Sequence, residues 1–352
     1  MNSSEFYCVL IHYDEIATKL GNRSWFEKKL TRNIKSQIIN LKFSKVQRFA
    51  ARIFVNHVDY KDKDIYIEKI KNVMGVASVH FMLCIPASID LIKKKSIDML
   101  EPEKNNFNSF KVLTKRQNKS FNKSSQEVNY EVGDIIRKTF KKEVKLKTPD
   151  LEFRIEIVDD LAFIGFQKIQ GYGGLPVGTG ENALSLISSG IDSPVSSFKM
   201  LKRGIQLSYI HFHSYPATGK ESIYNVKKII DRLSEFQSSK NLFLIPFLDV
   251  QKEIMGKAPN KYWVILFRRA MIRVSSIIAR KIDAKALITG ENVGQVASQT
   301  LSNIQAISDA SDIPILRPLI GYNKKDIINL ATEIGTYEIS ISPYEDCCSF
   351  FV

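Results

Sequence analysis

Six residues at 188–193, Ser-Ser-Gly-Ile-Asp-Ser, carry the clearest chemistry in this chain. They follow an apolar, strand-like run at 184–187 and precede a helix-compatible stretch at 194–201. Glycine and serine let backbone N–H groups approach an anion, and a helix N-terminus adds its positive dipole. No Lys follows the glycine, so the segment is not the phosphate loop of ordinary NTPases. The pattern predicts phosphate binding, although a plain strand-to-helix turn could use the same residue types.

Further polar residues follow neighbouring strands of the C-terminal half. Asp192 either helps to hold a magnesium pyrophosphate or caps its helix. His211 and Phe212 end a strand, where an adenine base could stack or bind the backbone, although a lone His there is more often structural. The run at 288–300 supplies glycines and amides that suit close approach to a nucleotide, or a tight turn: Thr289, Gly290, Glu291, Gly294, Gln295, Ser298 and Gln299.

Arginines and cysteines add two more candidate groups. Arg268 and Arg269 lie on a predicted helix, and Arg317 lies near a strand end; each suits a phosphate, although one of the pair could be solvated. Adjacent Cys347 and Cys348 in the polar tail are candidates for a low-pKa nucleophile or sulfur carrier, or else two buried thiols.

Composition excludes several classes of protein. The chain has 352 residues, of which 44% are hydrophobic, enough for two or three domains with sizeable cores. No apolar run approaches the length of a membrane span, and the N-terminus does not read as a signal peptide. The 4 Cys include no C-x-x-C, so we expect no zinc or iron–sulfur site and a reducing, cytoplasmic location.

The positive charge is concentrated in one region. The net charge is +14, and residues 91–147 alone hold 15 Lys and Arg against 7 Asp and Glu. Such a block could be a solvated surface, but a folded domain this basic usually binds a polyanion. We therefore expect nucleic acid as a partner.

Element patterns divide the chain into an α+β half and an α/β half. Strands at 6–12, 50–56 and 76–86 alternate with helices at 23–41 and 63–73, which suggests a ferredoxin-like unit. A polar linker at 101–109 leads to a second unit. Its predicted elements are a strand at 110–116, a helix that starts near Ser124 or Ser125 with Glu127 at capping-box spacing, and a hairpin at 152–169 that turns at Asp159 and Asp160.

The order of the predicted secondary-structure elements changes after a glycine-rich hinge at 171–182. From there, strands and helices alternate, which predicts a doubly wound parallel sheet whose ligands bind at the carboxyl ends of the strands. The predicted strands are 184–187, 207–212, 242–247, 285–289 and 313–316. The predicted helices are 194–203, 221–236, 262–282 and 324–334.

The motifs together resemble one family, in its order and over almost the whole chain. The segment SSGIDS is similar to the PP-loop of enzymes that adenylate a substrate and release pyrophosphate. The whole set resembles the tRNA 4-thiouridine synthetases, or tRNA sulfurtransferases. It comprises HYDEIATKLGNRSWFEKKLTRNI, FKVLTKRQNKSF with SSQEVNYEVG, GYGGLPVGTGEN, SSGIDSPV, HFHSYP, TGENVGQVASQT, LRPLIGYNK and IGTYEISISPYEDCC.

The resemblance implies a fold and a domain order. A ferredoxin-like region would occupy 1–60 and a THUMP RNA-binding domain 61–170, both α+β. A glycine-rich linker would occupy 171–183. The PP-loop catalytic domain would occupy 184–352 as an α/β, adenine nucleotide alpha hydrolase-like, doubly wound parallel sheet.

The resemblance also implies a reaction with ATP and Mg²⁺. ATP would adenylate a uridine near position eight of tRNA, and a persulfide sulfur would displace AMP. Asp192 and Cys348, with Cys347 second, would be catalytic, and no protein metal site is implied. RNA would contact Lys115, Arg116 and Lys119. ATP would be held by Leu186, Ile187, Ser188, Ser189, Gly190, Ser193, His211, Phe212, Arg268, Gly290 and Gln299.

Departures from the family pattern leave alternatives open. Ser189 replaces a glycine of the PP-loop, which would weaken binding if its φ were positive, and Asp14 and Leu20 replace glycines of the early motif. The chain ends at Val352, so we expect no rhodanese-like domain and a separate donor, a cysteine desulfurase or another persulfide carrier. A homodimer and a role in thiamine thiazole synthesis stay open.

Two other functions compete with this interpretation. One is a PP-loop ligase or amidotransferase-type enzyme, against which the basic, THUMP-like half argues. The other is a non-catalytic RNA-binding protein with a decayed loop, an idea that Ser189 motivates.

Overall fold

The chain folds into two compact units, Met1–Gly173 and Gly174–Val352, and the computed structural model describes residues 5–117 and 121–343. In the first unit, nine strands form one sheet within the described residues. They are β1 (Phe6–His12), β2 (Lys45–Phe49), β3 (Arg52–Asn56), β4 (Ser78–Pro86), β5 (Ser109–Arg116), β6 (Glu143–Val144), β7 (Leu151–Val158), β8 (Leu161–Gly165) and β9 (Ile169–Gln170). Its helices are α1 (Arg23–Gln37), α2 (Lys63–Lys71), α3 (Ile89–Leu100) and α4 (Ser125–Phe140).

The strand order in this sheet is β2-β3-β1-β4-β8-β7-β5-β6, with β9 also paired to β4. Strand β4 pairs antiparallel with β1 on one side and with β8 on the other. Strand β5 runs parallel to β7 and β6. The ferredoxin-like and THUMP-like parts are therefore joined by one continuous sheet, and the segment at 101–109 does not separate two independent sheets.

Two apolar clusters hold helices on this sheet. Leu30 and Ile34 of α1 and Ile70 of α2 pack with Val9 and Ile11 of β1. A second cluster packs α3 and α4 against strands from β4 to β8. Helix α4 begins as predicted, because the Ser124 hydroxyl accepts from the Glu127 N–H and the Glu127 carboxylate accepts from the Ser124 N–H.

The second unit contains a five-stranded sheet in which every pairing is parallel. Its order is β12-β11-β10-β13-β14, and the strands are β10 (Asn182–Leu186), β11 (Gln206–His213), β12 (Leu242–Pro246), β13 (Ala286–Ile288) and β14 (Ile315–Leu316). Its helices are α5 (Asp192–Lys202), α6 (Glu221–Leu233), α7 (Leu248–Lys257), α8 (Trp263–Lys281), α9 (Leu301–Ser308), α10 (Lys324–Glu333) and α11 (Tyr337–Ser340). The prediction of a parallel α/β unit is confirmed.

Several elements were missing from the prediction. Helix α3 follows directly on β4, α7 fills the 248–257 segment, and α9 follows the polar run at 288–300. Strand β2 is a mostly exposed edge strand, so its sequence lacks the apolar alternation of a half-buried strand. Asp14 and Leu20, at positions where the family motif has glycine, do not have positive φ, so neither strains the backbone.

No helix within the described residues has the length and apolar character needed to span a membrane.

Candidate functional site

A cavity of about 250 Å³ opens at the carboxyl end of the parallel sheet in the second unit. Seven of the residues predicted to hold ATP or to act in catalysis line it. The lining residues are Leu186, Ser188, Asp192, Ser193, Arg268, Met271, Ile272, Thr289, Gly290, Glu291, Gln299 and Ile307. The location agrees with the general placement of ligands in doubly wound sheets.

The loop between β10 and α5 is held by its own serines. The Ser193 hydroxyl lies 2.8 Å from the Ser188 backbone nitrogen, which donates to it, and 3.1 Å from the Ser188 hydroxyl. The Gly190 N–H donates to the Ser188 hydroxyl at 3.3 Å. Helix α5 has no side-chain cap, and Asp192 is the acidic residue of its first turn, so the positive end of the helix dipole is directed at the loop.

Asp192 begins α5 but does not cap it. Its Oδ1 lies 2.7 Å from Lys324 Nζ, and its Oδ2 accepts a hydrogen bond of 3.0 Å from Gln295 Nε2. Lys324 begins α10, and Gln295 belongs to the loop after β13. Three separate segments therefore meet at one carboxylate on the cavity wall.

Glu291 is the buried centre of a second charged group. Its Oε1 lies 3.2 Å from Arg268 Nη1 of α8, and its Oε2 lies 2.7 Å from Arg317 Nε and 3.1 Å from Thr289 Oγ1. Arg317 Nη2 also donates to Ser308 at the end of α9. One carboxylate thus fixes two guanidinium groups, and the excess positive charge favours an anionic ligand in the cavity.

Gly290 lets β13 approach the start of α5. A Cβ built on Gly290 would lie 2.9 Å from the Ser193 backbone nitrogen and 3.0 Å from the Asp192 carbonyl carbon. Since both neighbours are backbone atoms of the helix start, they could not move aside cheaply. The glycine is required by this close approach rather than by an unusual φ.

The rest of the cavity wall is apolar. Leu186, Met271, Ile272 and Ile307 contribute side chains from β10, α8 and α9. Gln299 is buried at this wall, and its Oε1 has no hydrogen-bond partner among the described residues. An apolar slot with an unsatisfied acceptor suits a heterocyclic base that carries an N–H donor.

His211 and Phe212 are placed at the end of β11, and neither lines the cavity. His211 Nδ1 lies 2.9 Å from the Ile187 carbonyl oxygen, so this nitrogen donates and bridges two strand ends. Burial lowers the pKa of His211 to about 4, although the Ile187 bond opposes the shift, so the ring is neutral at pH 7. Phe212 packs in the core against Phe247, at a centroid distance of 5.3 Å.

Ile187, Ser189 and Gly190 also lie outside the cavity lining, although the last two belong to the loop above it. Ser189 is buried, and its φ is not in the left-handed region. The strain that a Cβ would cause at positive φ is therefore absent, and the serine is accommodated without backbone cost.

The residues predicted to bind RNA lie in the first unit. Lys115 is exposed on β5. Arg116 makes intramolecular hydrogen bonds, since its Nη1 donates to the carbonyl oxygens of Phe121 and Lys123 at 2.8 and 2.7 Å. Arg116 therefore ties β5 to the backbone at Phe121 and Lys123. Lys119 lies outside the described residues, as do Cys347 and Cys348.

Sequence reasoning gave several residues of the site no specific role. Arg317 was a candidate for phosphate, and Glu291 and Gln295 belonged to a run that suits a nucleotide, but their contacts with Arg268 and Asp192 were not predicted; Lys324 was quoted only within a motif. Their signal was position, since each follows a strand end or opens a helix in the α/β half. Arg269, the other arginine of the α8 pair, is half-buried and donates to the Ala306 carbonyl oxygen of α9.

No group of three or more His, Cys, Asp or Glu residues within 5–117 and 121–343 has the arrangement of a metal site.

Family models match three segments of the chain. The model described as Thiamine biosynthesis protein (ThiI) matches residues 178–352, the ThiI ferredoxin-like domain matches 8–79, and the THUMP domain matches 86–167. Together these segments cover most of the described fold.

Whole-length relatives are also similar. A probable tRNA sulfurtransferase of Thermoanaerobacter pseudethanolicus is 41% identical over 347 residues, covering 98% of this chain and 90% of the relative. A protein of the same description from Brevibacillus brevis is 38% identical over 344 residues, covering 97% and 86%. Among solved structures, the crystal structure of a 4-thiouridine synthetase–RNA complex with bound ATP aligns with a TM-score of 0.88 and 36% identity, covering 98% of this chain and 89% of that one.

Proposed function

This chain belongs to the tRNA sulfurtransferase family, and from that premise we propose that it forms 4-thiouridine near position 8 of tRNA by adenylating the uridine. The observation that carries the proposal is the cavity itself. It combines a helix N-terminus without a side-chain cap, Arg268 held by Glu291 and an apolar wall, which together suit the phosphates and the base of ATP. The solved relative that aligns at 36% identity was crystallised with RNA and ATP.

The chemistry explains why ATP is needed. The uridine 4-carbonyl oxygen is a poor leaving group, so direct replacement by sulfur would be slow. Attack of this oxygen on the α-phosphorus of ATP forms an O–P bond and releases pyrophosphate. A persulfide sulfur then attacks carbon 4, AMP leaves with the original oxygen, and a thiol that attacks the remaining S–S bond frees 4-thiouridine.

The residues of the cavity divide this work. Backbone N–H groups of the 188–193 loop and the α5 dipole bind pyrophosphate. Arg268 stabilises the negative charge that builds on the α-phosphate as its fifth bond forms, and Arg317 helps to fix the Glu291 carboxylate that holds Arg268. The adenine lies along the apolar wall beside Leu186, where Gln299 Oε1 accepts from it, while His211, Ile187 and Phe212 hold the strand ends outside the cavity lining.

Magnesium fits the residues present in the cavity. Mg²⁺ is usually held by one or two carboxylates together with substrate phosphates and water. Glu291 contacts two arginines, whereas Asp192 contacts one lysine and one uncharged amide, so Asp192 is the cavity carboxylate with fewer cationic partners. Asp192 would hold the ion, which when bound offsets charge on the leaving pyrophosphate.

The sulfur source is a separate protein in this proposal. A cysteine desulfurase or another persulfide carrier delivers sulfur, and Cys348, with Cys347 second, supplies the thiol of this chain. Lys115 and neighbouring basic residues bind tRNA phosphates, mainly by charge and shape. A homodimer remains part of the proposal, and its test is the mass of the protein in solution.

The test is a thiolation assay with purified protein, unmodified tRNA, ATP with Mg²⁺, and a desulfurase supplied with cysteine. We expect 4-thiouridine to form only when ATP is present, with release of AMP and pyrophosphate. ATP cleavage without tRNA dependence would instead favour a small-molecule ligase. Binding of tRNA without binding of ATP, as measured by calorimetry, would favour a non-catalytic RNA-binding protein and overturn the proposal.

We extend the proposal to thiamine thiazole synthesis, because the family model that matches residues 178–352 is described as a thiamine biosynthesis protein. The same persulfide chemistry would pass sulfur to the thiazole precursor. Deletion of the gene should then create a growth requirement that thiazole relieves; growth without thiazole would restrict the role to tRNA.

A further inference from the structure

A second cavity, of about 330 Å³, lies in the first unit. Strands β1 and β4, helices α2 and α3 and the segment after β8 all contribute residues to its wall. None of these residues takes part in the nucleotide site described above. The volume lies at the small end of the range for small-molecule sites, which matches one nucleotide rather than a duplex.

Aromatic rings dominate one wall of this cavity. Tyr7 of β1 lies with its ring centroid 4.9 Å from Tyr60 and 5.6 Å from Phe81 of β4. Tyr60 begins a short turn that is fixed by Asp59, whose carboxylate accepts from the Lys61 N–H. Although its neighbours are buried or half-buried, Tyr60 is 53% exposed, so its ring offers open surface for stacking.

Two lysines border the same rings. Lys63 Nζ lies 5.8 Å from the Tyr60 ring centroid and 5.9 Å from that of Phe166. Lys95 of α3 also lines the cavity and pairs with Glu5 at 2.7 Å. Within the described part of the chain, Lys63 has no carboxylate partner. An aromatic cage built for a cationic ligand would not place lysines at its wall, because they would repel the ligand, so an anion attached to a flat ring is the better fit.

Hydrogen-bond acceptors complete the wall. Gln167 Oε1 is buried without a hydrogen-bond partner, and the exposed Asp98 lies on the same cavity. An unsatisfied buried acceptor is costly unless a ligand or water supplies a donor. The amino group of an unpaired base is such a donor.

We propose that this cavity binds one unpaired nucleobase of the RNA substrate, which stacks on Tyr60 while Lys63 contacts its phosphate. Single-stranded bases are commonly recognised by stacking on aromatic side chains beside basic residues. This site adds base contacts to an interface otherwise expected to use phosphates and shape, and it rests on the proposed function because that function supplies the RNA. The acceptors favour bases that carry an amino group over uracil.

The test compares two labelled tetranucleotide RNAs with the same phosphates, one with cytosine bases and one entirely abasic. Fluorescence anisotropy should show that the wild-type protein binds the cytosine RNA about tenfold more tightly, the value of one stacked base. Tyr60→Ala should remove the difference, whereas Tyr60→Phe, which keeps the ring, should retain it. Tyr130→Ala is the matched control, because Tyr130 is a 76% exposed tyrosine of the same unit outside this cavity.

Equal binding of both RNAs by the wild-type protein would overturn the proposal. So would unchanged discrimination in a Tyr60→Ala protein whose circular dichroism matches the wild type. ATP-dependent thiolation of whole tRNA is measured with the same preparations. Thiolation without discrimination between the two RNAs rejects base binding in this cavity but not the proposed function. Absence of thiolation rejects the proposed function, and the anisotropy result then still decides whether the cavity binds a base.

Discussion

Individual carboxylates organise the cavity that we propose to bind ATP. Asp192 and Glu291 each accept from at least two side chains that lie far away in sequence. Removal of a buried charge that holds other charges costs more than its own contact, since the partners are left unpaired. Substitutions at these two residues should therefore disturb the cavity, and substitutions of exposed carboxylates serve as controls for the loss of a charge.

Asp192→Ala should abolish adenylation, because it removes the cavity carboxylate that we assign to the magnesium pyrophosphate. Binding of tRNA should survive, since the basic residues assigned to RNA lie in the other unit. Release of AMP and a tRNA binding curve measure the two effects. Asp231→Ala is the control, because Asp231 forms a surface pair with Lys240 and its side chain is 67% exposed. Equal loss of both activities would mean that Asp192 is structural.

Glu291→Gln should weaken ATP binding by about tenfold or more, because loss of one buried charge contact costs over 1 kcal/mol. The amide cannot neutralise Arg268 and Arg317 together, so both guanidinium groups would lose their fixed positions. Isothermal calorimetry measures the affinity. Glu253→Gln, in a surface pair with Lys257 and 66% exposed, should bind ATP as the wild type does. An unchanged affinity in Glu291→Gln would show that these arginines do not contact ATP.

Cys348→Ala should allow AMP to form but prevent accumulation of 4-thiouridine, since adenylation needs no thiol and sulfur release does. Both products can be quantified from one reaction by chromatography of digested tRNA. Cys84→Ala serves as a comparison, because burial raises the pKa of Cys84 to about 12 and keeps it an inert thiol. A normal yield of 4-thiouridine in Cys348→Ala would transfer the role to Cys347 or to the donor.

At the scale of elements, the site depends on how closely β13 approaches α5. Gly290→Ala should displace the start of α5 from the sheet, because its Cβ would lie 2.9 Å from the Ser193 nitrogen. We expect destabilisation of about 1–3 kcal/mol by overpacking, together with weaker ATP binding.

Gly256→Ala is the matched comparison for this prediction. Gly256 lies in α7, where a Cβ would meet nothing within 4 Å, so alanine should stabilise the helix by about 0.5–1 kcal/mol. Urea unfolding measures both changes. If Gly290→Ala were as benign as Gly256→Ala, the close approach of β13 and α5 would not constrain the site.

At the scale of the whole molecule, a buried ionic group ties the two halves of the first sheet together. Glu156 of β7 contacts His12 of β1 at 3.1 Å, Arg52 of β3 at 2.6 Å and Arg154 at 3.3 Å. Burial would raise the pKa of Glu156, but the His12 hydrogen bond and the electrostatic interactions with His12, Arg52 and Arg154 outweigh it and lower the pKa to about 2.

Stability should therefore depend on pH through Glu156. An unfolded Glu has a pKa of about 4.3. The stabilisation that ionised Glu156 gives the folded state is therefore complete above that pH and is lost as the pH falls towards about 2. Glu156→Gln should lower the free energy of unfolding by about 3 kcal/mol at pH 7. It should also reduce the loss of stability between about pH 4.3 and about pH 2, as measured by urea unfolding at several pH values. Glu101→Gln, in an exposed pair with Lys104, should change neither quantity. The same acid dependence in Glu156→Gln and wild type would assign it to other carboxylates.

The sequence alone determined the features that local spacing encodes. The order of strands and helices in the α/β half, the capping box at Ser124 and Glu127 and the SSGIDS loop all follow from contacts between residues a few positions apart. Even so, elements with weak patterns were missed, including the exposed strand β2 and helix α9. Periodicity reports burial on one face, and an edge strand or a short helix leaves little of that signal.

Only the tertiary structure decided which distant side chains meet. Glu291 lies 23 positions from Arg268 and 26 from Arg317, and Asp192 lies 132 positions from Lys324, yet each pair is in contact. The reason is that strand order and helix packing, rather than local preference, bring these residues to one edge of the sheet. Arg116, which was predicted to contact RNA, donates to the carbonyl oxygens of Phe121 and Lys123, and this pairing depends on groups that only the folded chain positions.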